Sequence, residues 1–332
     1  MPNSVRMPLP FENIKRDVLV RKEAKTGPQF GTEPSQRSSE TLIQYGIVNI
    51  DKPSGPTSHQ TSDFVQKILG IDKAGHAGTL DPGVTGVLPI ALGHATRIVQ
   101  ALMNVGKEYV CLMHVHKPVS EDVLKKVFIA FTGKINQLPP IKSAVKRQLR
   151  TREIYYLEVM EIDGQDVLFK VGCQAGTYIR KLCFDMGKKL GCGAHMAELR
   201  RTKAACFDES TLVTLHDLTD AFHYSKEGND KALKKFIQPV ESALAHLPKV
   251  WVFDTTVESL CHGMDLKVPG IAKVHSGIQK ECDVAIMTLK DELVALGTAV
   301  MDSKAMLGEK GIAVKTHKVF MLPGTYARSK GV

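Results

Sequence analysis

The stretch Gly75-His76-Ala77-Gly78-Thr79-Leu80-Asp81-Pro82-Gly83-Val84-Thr85-Gly86 carries the strongest structural signal in this chain. Its four glycines allow unusual backbone angles and close approach, while Pro82 restricts Asp81 to an extended conformation. We therefore expect a rigid loop that holds the Asp81 carboxylate in one orientation. The loop is not a phosphate-binding or dinucleotide-binding motif, because it lacks Gly-Lys-Ser/Thr and its glycine spacing differs. A plain glycine-rich turn capped by an aspartate is the alternative interpretation.

Strand patterns flank this loop on both sides. Apolar runs predict strands at Ile47–Ile50 and Gly86–Leu92, and an alternating run predicts a strand at Lys107–His116. Two further strands, over 154–162 and 166–173, are separated by Asp163-Gly164, a tight-hairpin signal. Paired strands interrupted by helices, without a regular strand–helix–strand rhythm, predict an α+β fold with a mixed sheet.

Helical patterns fill the spaces between these strands. We predict helices over Ala95–Met103, over Thr177–Leu190 with Thr177 as the N-cap, and from about 214 to 246. Arg180 and Lys181 fall in the first turn of the second helix, where the helix dipole disfavours cations. An anion should lie nearby, either a phosphate or a carboxylate such as Asp81. A solvated arginine at this position is the alternative.

Basic residues are concentrated in one short segment. Its five cations have no acidic residue between them: Lys142, Lys146, Arg147, Arg150 and Arg152. Because the segment follows Pro139-Pro140 and precedes a strand, it predicts a protruding loop suited to backbone phosphates, with a solvated surface as the alternative. A second basic cluster contains Arg200, Arg201 and Lys203.

Composition bounds the class of protein. The chain has 332 residues, of which 43% are apolar and 24% charged, as expected for a globular protein of about two domains. It has no apolar run long enough for a membrane span and no secretory signal at its start, so we predict a cytoplasmic protein. The formal net charge of +9 is typical of proteins that neutralise phosphates, although charge alone does not establish nucleic-acid binding.

Cysteine and histidine usage predicts no metal site. The seven cysteines include no Cys-x-x-Cys pair, so free thiols are expected. Cys111, His114 and His116 are close in sequence, but they lie in a predicted strand and lack the further ligands that a tetrahedral site needs.

The chain divides into three predicted regions. Residues 1–40 are polar and without periodicity, which predicts an extended or partner-dependent arm. Residues 41–247 hold all the motifs above and form the predicted catalytic domain. Residues 248–328 consist of short apolar runs between glycine-rich turns and form a small β-rich domain. From residue 248 onward, eleven Lys/Arg against nine Asp/Glu give a charge of +2, which leaves +7 for the first 247 residues.

Several motifs together resemble the TruB/dyskerin family of RNA pseudouridine synthases over about residues 40–325. They are Ile50-Asp51-Lys52-Pro53 and its continuation to His59, Gly75–Pro82, Gly176-Thr177-Tyr178-Ile179-Arg180, and Met196–Thr202. The tail, from Pro269 to Val314, resembles a PUA domain, an RNA-binding β-barrel. Segments 142–147, 193–196 and 215–218 resemble the archaeal dyskerin branch, whose members are catalytic subunits of H/ACA guide ribonucleoproteins.

The resemblance implies that the chain isomerises uridine to pseudouridine in RNA. This reaction is redox-neutral and needs no cofactor and no metal. By the resemblance, Asp81 is the catalytic carboxylate, Arg180 pairs with it and keeps it ionised, and Tyr109 stacks on the flipped uridine. Tyr178 is implied in proton transfer and Leu199 in the pocket wall.

The resemblance also implies the remaining contacts and the partners. His76 would assist base flipping, and Lys52 with Pro53 would support the pocket. Guide RNA, substrate rRNA or tRNA, and small proteins of the H/ACA particle are the implied partners, with no membrane. A protein-only tRNA uridine-55 synthase and a catalytically silent RNA scaffold are the alternatives.

Overall fold

The computed structural model describes residues 7–139 and 146–326. Within them, the strands in chain order are β1 (Val18–Val20), β2 (Gly46–Lys52), β3 (Ala74–His76), β4 (Thr85–Leu92), β5 (Lys107–Val115), β6 (Gly133–Gln137), β7 (Arg150–Asp163), β8 (Asp166–Cys173), β9 (Ala194–Ala204), β10 (Phe207–Asp208), β11 (Ile237–Pro239), β12 (Lys249–Val252), β13 (Leu266–Lys267), β14 (Ile271–His275), β15 (Asp283–Met287), β16 (Leu293–Ala299) and β17 (Ile312–Val319).

The α-helices lie between the strands and are mostly short. They are α1 (Ser39–Tyr45), α2 (Ser58–Leu69), α3 (Val99–Met103), α4 (Glu121–Ala130), α5 (Ile179–Leu190), α6 (Leu215–Lys226), α7 (Lys231–Phe236) and α8 (Asp254–Cys261). Among the described residues, no helix combines the length and the apolar composition that crossing a bilayer requires.

Ten of the strands form the larger sheet. Its main order is β11-β2-β4-β9-β5-β8-β7-β6, with β3 paired to β4 and β10 paired to β9. The β4–β9 pair is parallel and its neighbours are antiparallel, so the sheet is mixed. This confirms the predicted α+β fold. The hairpin prediction is also confirmed, because Gly164 has a φ of +58° in the turn that joins β7 to β8.

The other seven strands form a second sheet, in the order β1-β14-β12-β15-β16-β17-β13. Its first strand comes from the predicted arm: Val18 pairs with His275, and Val20 pairs with Lys273. The arm therefore contributes to this sheet through main-chain hydrogen bonds, which require no apolar periodicity in its own sequence.

The two sheets share one apolar cluster. It joins residues of the larger sheet, such as Ile47 and Val87, to Trp251, Met287 and Leu293 of the second sheet. Removing these side chains from water favours one relative placement of the sheets, since each 100 Å² of buried apolar surface contributes roughly 2.5 kcal/mol. The second sheet is thus held at a set distance from the loop that carries Asp81.

Three local predictions are wrong in detail. The helix near 177 begins at Ile179 with Tyr178 as its N-cap, because the Thr177 hydroxyl donates to the Gln174 carbonyl at 2.7 Å. The segment Gly93–Ile98 is a 3-10 helix that precedes α3. The predicted helical region after 214 is interrupted at Ile237–Pro239, because these residues form the strand β11, which pairs with β2.

Candidate active site

The loop between β3 and β4 is supported from behind by the buried Lys52 ammonium. Lys52 is fully buried at the end of β2, and its Nζ donates to the carbonyl oxygens of Pro53 (2.9 Å), Pro82 (3.0 Å) and Val84 (2.9 Å). Burial lowers the pKa of Lys52, and the nearby Asp81 carboxylate partly opposes this change. Lys52 therefore holds the backbone on the C-terminal side of Asp81.

Helix α2 supports the other side of the loop. The Ser58 hydroxyl accepts from the Leu80 amide at 2.8 Å, and the Gly55 amide donates to the Pro82 carbonyl at 3.0 Å. Asp81 itself is exposed between these anchored residues. The loop therefore presents the Asp81 carboxylate to solvent from a backbone that is hydrogen-bonded on both sides.

Arg180 is the partner of Asp81. Its Nη2 donates to Asp81 Oδ2 at 2.5 Å, across 99 residues of sequence. Both side chains are open to solvent, with exposed fractions of 61% for Arg180 and 56% for Asp81. Of the two anions that could accompany Arg180 in the first turn of its helix, the structure contains the carboxylate.

Tyr178 precedes Arg180 and is anchored through its backbone. Its amide donates to Gln137 Oε1 at 3.0 Å, and Gln137 Nε2 donates to its carbonyl at 3.1 Å. Gln137 is buried at the end of β6. Sequence reasoning missed Gln137, because a glutamine at a strand end carries no chemical signal until its cross-chain partner is known.

Tyr109 and Leu199 lie on adjacent strands of the larger sheet. Tyr109 pairs with Arg201 and Leu199 pairs with Cys111, and both Tyr109 and Leu199 are half-buried. Burial raises the pKa of the Tyr109 phenol, the Arg201 guanidinium opposes this rise, and the Asp81 charge adds a smaller increase.

His76 lies at the end of β3, before the loop. Its ring packs edge-to-face against His59, with 5.0 Å between ring centroids. Burial, followed by the charges of His59 and Arg201, lowers the pKa of His76 to about 4. His76 is therefore a neutral imidazole at physiological pH.

The predicted basic loop connects β6 to β7. Lys142 lies outside the described residues, Lys146 and Arg147 are exposed, and Arg150 and Arg152 are half-buried. The Arg152 guanidinium extends toward the start of α5, since a β-carbon added at Gly176 would be 3.2 Å from Arg152 Nε. Within the described residues, the basic segment thus extends from the exposed Lys146 and Arg147 to Arg152 beside Gly176.

The second basic cluster makes its contacts within the protein. Arg200 donates to Asp51 at 3.0 and 3.1 Å and to Glu209 at 2.7 Å, and Lys203 contacts Glu12 at 3.1 Å. Arg201 has an exposed fraction of only 1%. Arg201 is thus buried, and Arg200 and Lys203 are paired with carboxylates of this chain.

The cysteine–histidine segment does not converge on one point. Cys111 faces the core, with its Sγ 3.6 Å from that of Cys183. His114 contacts Asp166 at 2.7 Å, and His116 contacts His195 at 2.9 Å. In the described ranges, no group of three or more His, Cys, Asp or Glu side chains is arranged to hold a metal ion.

Four family models match consecutive parts of the chain. They are described as the DKCLD domain over residues 5–62, the N-terminal domain of the TruB family pseudouridylate synthases over 66–179, the C-terminal domain of tRNA pseudouridylate synthase B over 180–245, and the PUA domain over 248–320. The boundary between the last two matches lies where the chain passes from the larger sheet to the second.

Individual relatives match over nearly the whole chain. A protein of Thermococcus onnurineus named probable tRNA pseudouridine synthase B is 57% identical over 323 residues, covering 96% of both chains. A solved Cbf5–Nop10–Gar1 complex contains a chain that is 55% identical with a TM-score of 0.93, covering 98% of this chain and 100% of that one. A structure of an H/ACA ribonucleoprotein bound to a substrate RNA containing 2′-deoxyuridine matches at 53% identity and a TM-score of 0.91, over 97% and 99% of the two chains.

Proposed function

This chain belongs to the TruB family of pseudouridine synthases, and from that premise we propose that it isomerises uridine to pseudouridine as the catalytic subunit of an H/ACA guide ribonucleoprotein. Its substrates in this proposal are rRNA and tRNA. Its partners are a guide RNA and small proteins of the particle. The chain works in the cytoplasm and, as the sequence predicts, requires neither a cofactor nor a metal.

The observation that carries the proposal is the exposed Asp81–Arg180 pair on a loop with an anchored backbone. In the reaction, the bond between N1 of uracil and C1′ of the ribose breaks, the base rotates, and a bond between C5 and C1′ forms. The hydrogen at C5 is lost and N1 gains one, so atoms and electrons balance without an external reagent. A carboxylate is a suitable nucleophile or base at this junction, and Arg180 orients it.

The other site residues take the roles that the family motif assigns to their positions. Tyr109 stacks on the flipped base, and Leu199 forms part of the pocket wall. Tyr178 transfers the proton between C5 and solvent. His76 assists the flipping as a neutral ring, and Lys52 supports the loop. The positions of Tyr109 and Leu199 on adjacent strands of the larger sheet support this assignment.

RNA contacts are proposed for the exposed basic segment. Lys142, Lys146, Arg147, Arg150 and Arg152 bind backbone phosphates near the target uridine. The approach of Arg152 to Gly176, two residues before Tyr178, supports this placement. Guide RNA is proposed to be held by residues 248–328, whose sheet shares an apolar cluster with the larger sheet and so has a set separation from Asp81.

A second candidate function is favoured by the names of the curated relatives. They are named probable tRNA pseudouridine synthase B, and we propose a protein-only reaction on uridine-55 of tRNA as the second activity of the same site. A catalytically silent RNA scaffold is disfavoured, because an exposed Arg–carboxylate pair contributes little to folding and has no structural use.

The test is to map pseudouridine, by sequencing, on tRNA and rRNA fragments treated with the purified chain and the particle's small proteins. Guide RNA is present in one series and absent in the other, with Asp81→Asn as the matched control. Modification of guide-selected rRNA uridines only in the presence of guide supports the proposal. Modification of tRNA alone, with guide irrelevant, would support the protein-only function, and activity retained by Asp81→Asn would contradict the site.

A further inference from the structure

Arg201 is a buried arginine behind the loop that carries Asp81. It lies on β9, where it pairs with Tyr109 of β5 on one side and with Gly86 of β4 on the other. Side chains of directly paired residues project from the same face of a sheet. Arg201 and Tyr109 are therefore on one face, and Arg201 is also next to the strand into which the loop continues.

The Arg201 guanidinium joins the loop to the strand that follows it. Its Nε donates to the Val87 carbonyl at 2.7 Å, and its Nη2 donates to the Gly78 carbonyl at 3.1 Å. The Arg201 charge also opposes the rise in the pKa of the Tyr109 phenol, the residue with which Arg201 pairs across the sheet. One planar group thus binds both the loop and the strand that follows it, and it belongs to a residue paired with Tyr109.

Burial of this charge is costly for the fold. Among the described residues, no carboxylate forms an ion pair with Arg201, whereas its neighbours Arg200 and Lys203 are paired with acidic side chains. Burial lowers the pKa of the Arg201 guanidinium. An isolated buried charge is retained only where its hydrogen bonds compensate for lost hydration. These bonds go to the loop and to the strand that follows it, so the arginine fixes the loop against β9, the strand that pairs with Tyr109.

We propose that Arg201 is a positioning residue that sets the distance between the Asp81 loop and the Tyr109 ring. The inference rests on the proposed function, in which Asp81 reacts with a uridine stacked on Tyr109. Lys52 holds the Pro82 and Val84 carbonyls on one side of Asp81, and Arg201 holds the Gly78 carbonyl on the other. Small displacements of a reacting group cost large factors in rate, about a hundredfold for 1 Å.

The substitution Arg201→Lys separates charge from geometry. An ammonium keeps the charge, but it lacks the planar fork that contacts the Val87 and Gly78 carbonyls together. The measurement uses full-length protein in the complete particle with guide and substrate RNA. We expect the single-turnover rate at saturating enzyme to fall about a hundredfold, while the RNA dissociation constant changes by less than about threefold.

The adjacent Arg200→Lys is the matched control. Arg200 is half-buried and contacts Asp51 and Glu209, with no bond to the loop in the described contacts. The Arg200→Lys variant should have a lower melting temperature than the wild type, and its single-turnover rate should change by no more than about threefold.

The outcomes separate the inference from the proposed function. A folded Arg201→Lys protein with the wild-type rate would overturn the positioning role. Equal rate losses in Arg200→Lys and Arg201→Lys would also overturn it, since both would then reflect general destabilisation. If Arg201→Lys does not fold, Arg201→Gln, which retains one planar donor, is expected to lose about tenfold in rate, and an unchanged rate there would overturn the role. Absence of pseudouridine with the wild-type particle would instead contradict the proposed function.

Discussion

Two arginine–carboxylate pairs in this chain have similar chemistry and opposite surroundings. Arg37 and Glu241 form a bidentate pair, with bonds of 2.7 and 2.8 Å and both side chains 7% exposed. Arg180 and Asp81 form a single bond at 2.5 Å, with both side chains more than half exposed. The buried pair joins the arm to the end of the larger sheet, and Glu241 also accepts from the Leu293 amide of the second sheet at 2.9 Å.

The difference in burial indicates what each pair is for. A buried charge whose partner is removed is strongly destabilising, whereas an exposed pair contributes only about 0–1 kcal/mol to stability. The Arg37–Glu241 pair should therefore matter for the assembly of the arm and both sheets. The Asp81–Arg180 pair should matter for reaction, and loss of either residue should leave the fold intact.

The largest effect is expected for Asp81→Asn. The amide keeps the shape of the side chain but cannot act as a nucleophile or base, so single-turnover activity should fall at least a thousandfold. Because the pair is exposed, the free energy of unfolding should change by less than about 1 kcal/mol. Rate measurement and chemical denaturation test the two statements together. A folded variant with more than a thousandth of the wild-type rate would show that Asp81 is not the catalytic carboxylate.

Arg37→Ala should have the opposite profile. It leaves the Glu241 carboxylate buried without its cation, at a cost of about 3–5 kcal/mol in the free energy of unfolding. The folded fraction should keep its single-turnover rate within about threefold, because the described hydrogen bonds and ion pairs of Arg37 and Glu241 do not involve Asp81 or its loop. Urea denaturation monitored by tryptophan fluorescence measures the free energy of unfolding, since Trp251 lies in the apolar cluster shared by the two sheets. If the free energy of unfolding fell by less than about 1 kcal/mol, the buried Arg37–Glu241 pair would contribute no more to stability than the exposed Asp81–Arg180 pair, and the comparison would fail.

The variant Arg180→Lys tests whether the exposed pair depends on the planar guanidinium of Arg180. The ammonium retains charge but cannot reproduce the planar donor geometry at the carboxylate, so the rate should fall about a hundredfold or more. Stability should stay within about 1 kcal/mol of wild type. Full activity of this variant would mean that Arg180 does not orient Asp81.

Tyr109 tests whether ring or hydroxyl carries the proposed stacking. Stacking of a base on an aromatic side chain contributes roughly 1–3 kcal/mol, so Tyr109→Ala should lose about ten- to hundredfold in rate. Tyr109→Phe keeps the ring and should retain most of the activity. If both variants lost the same factor, the hydroxyl would be the active group and the stacking assignment would be wrong.

The smallest effect is expected in the basic segment. Replacing Lys146, Arg147 and Arg150 by alanine should reduce the slope of log affinity against log salt by about two to three units, because each phosphate contact contributes roughly 0.7–0.9. Binding titrations at several salt concentrations measure the slope, and the single-turnover rate at saturation should be little changed. An unchanged slope would indicate that this segment is a solvated surface that does not bind phosphates.

Local sequence was sufficient for several parts of this molecule. The glycines and Pro82 predicted a rigid loop that presents Asp81, and the cations at the start of α5 predicted a nearby anion. Asp163-Gly164 predicted the hairpin that joins β7 to β8. These features depend on the preferences of adjacent residues for particular backbone angles and on the dipole of a single helix, so a short stretch of sequence determines them.

Only the tertiary structure decided which distant groups meet. Arg200, Arg201 and Lys203 look alike in sequence, yet two are paired with carboxylates and Arg201 is buried against main-chain carbonyls behind the loop. Gln137, which anchors Tyr178, carried no sequence signal at all. The physical reason is that strand pairing determines which side chains meet and how far they are buried. Burial, in turn, determines whether a charged residue stabilises the fold, positions a loop or remains free to react.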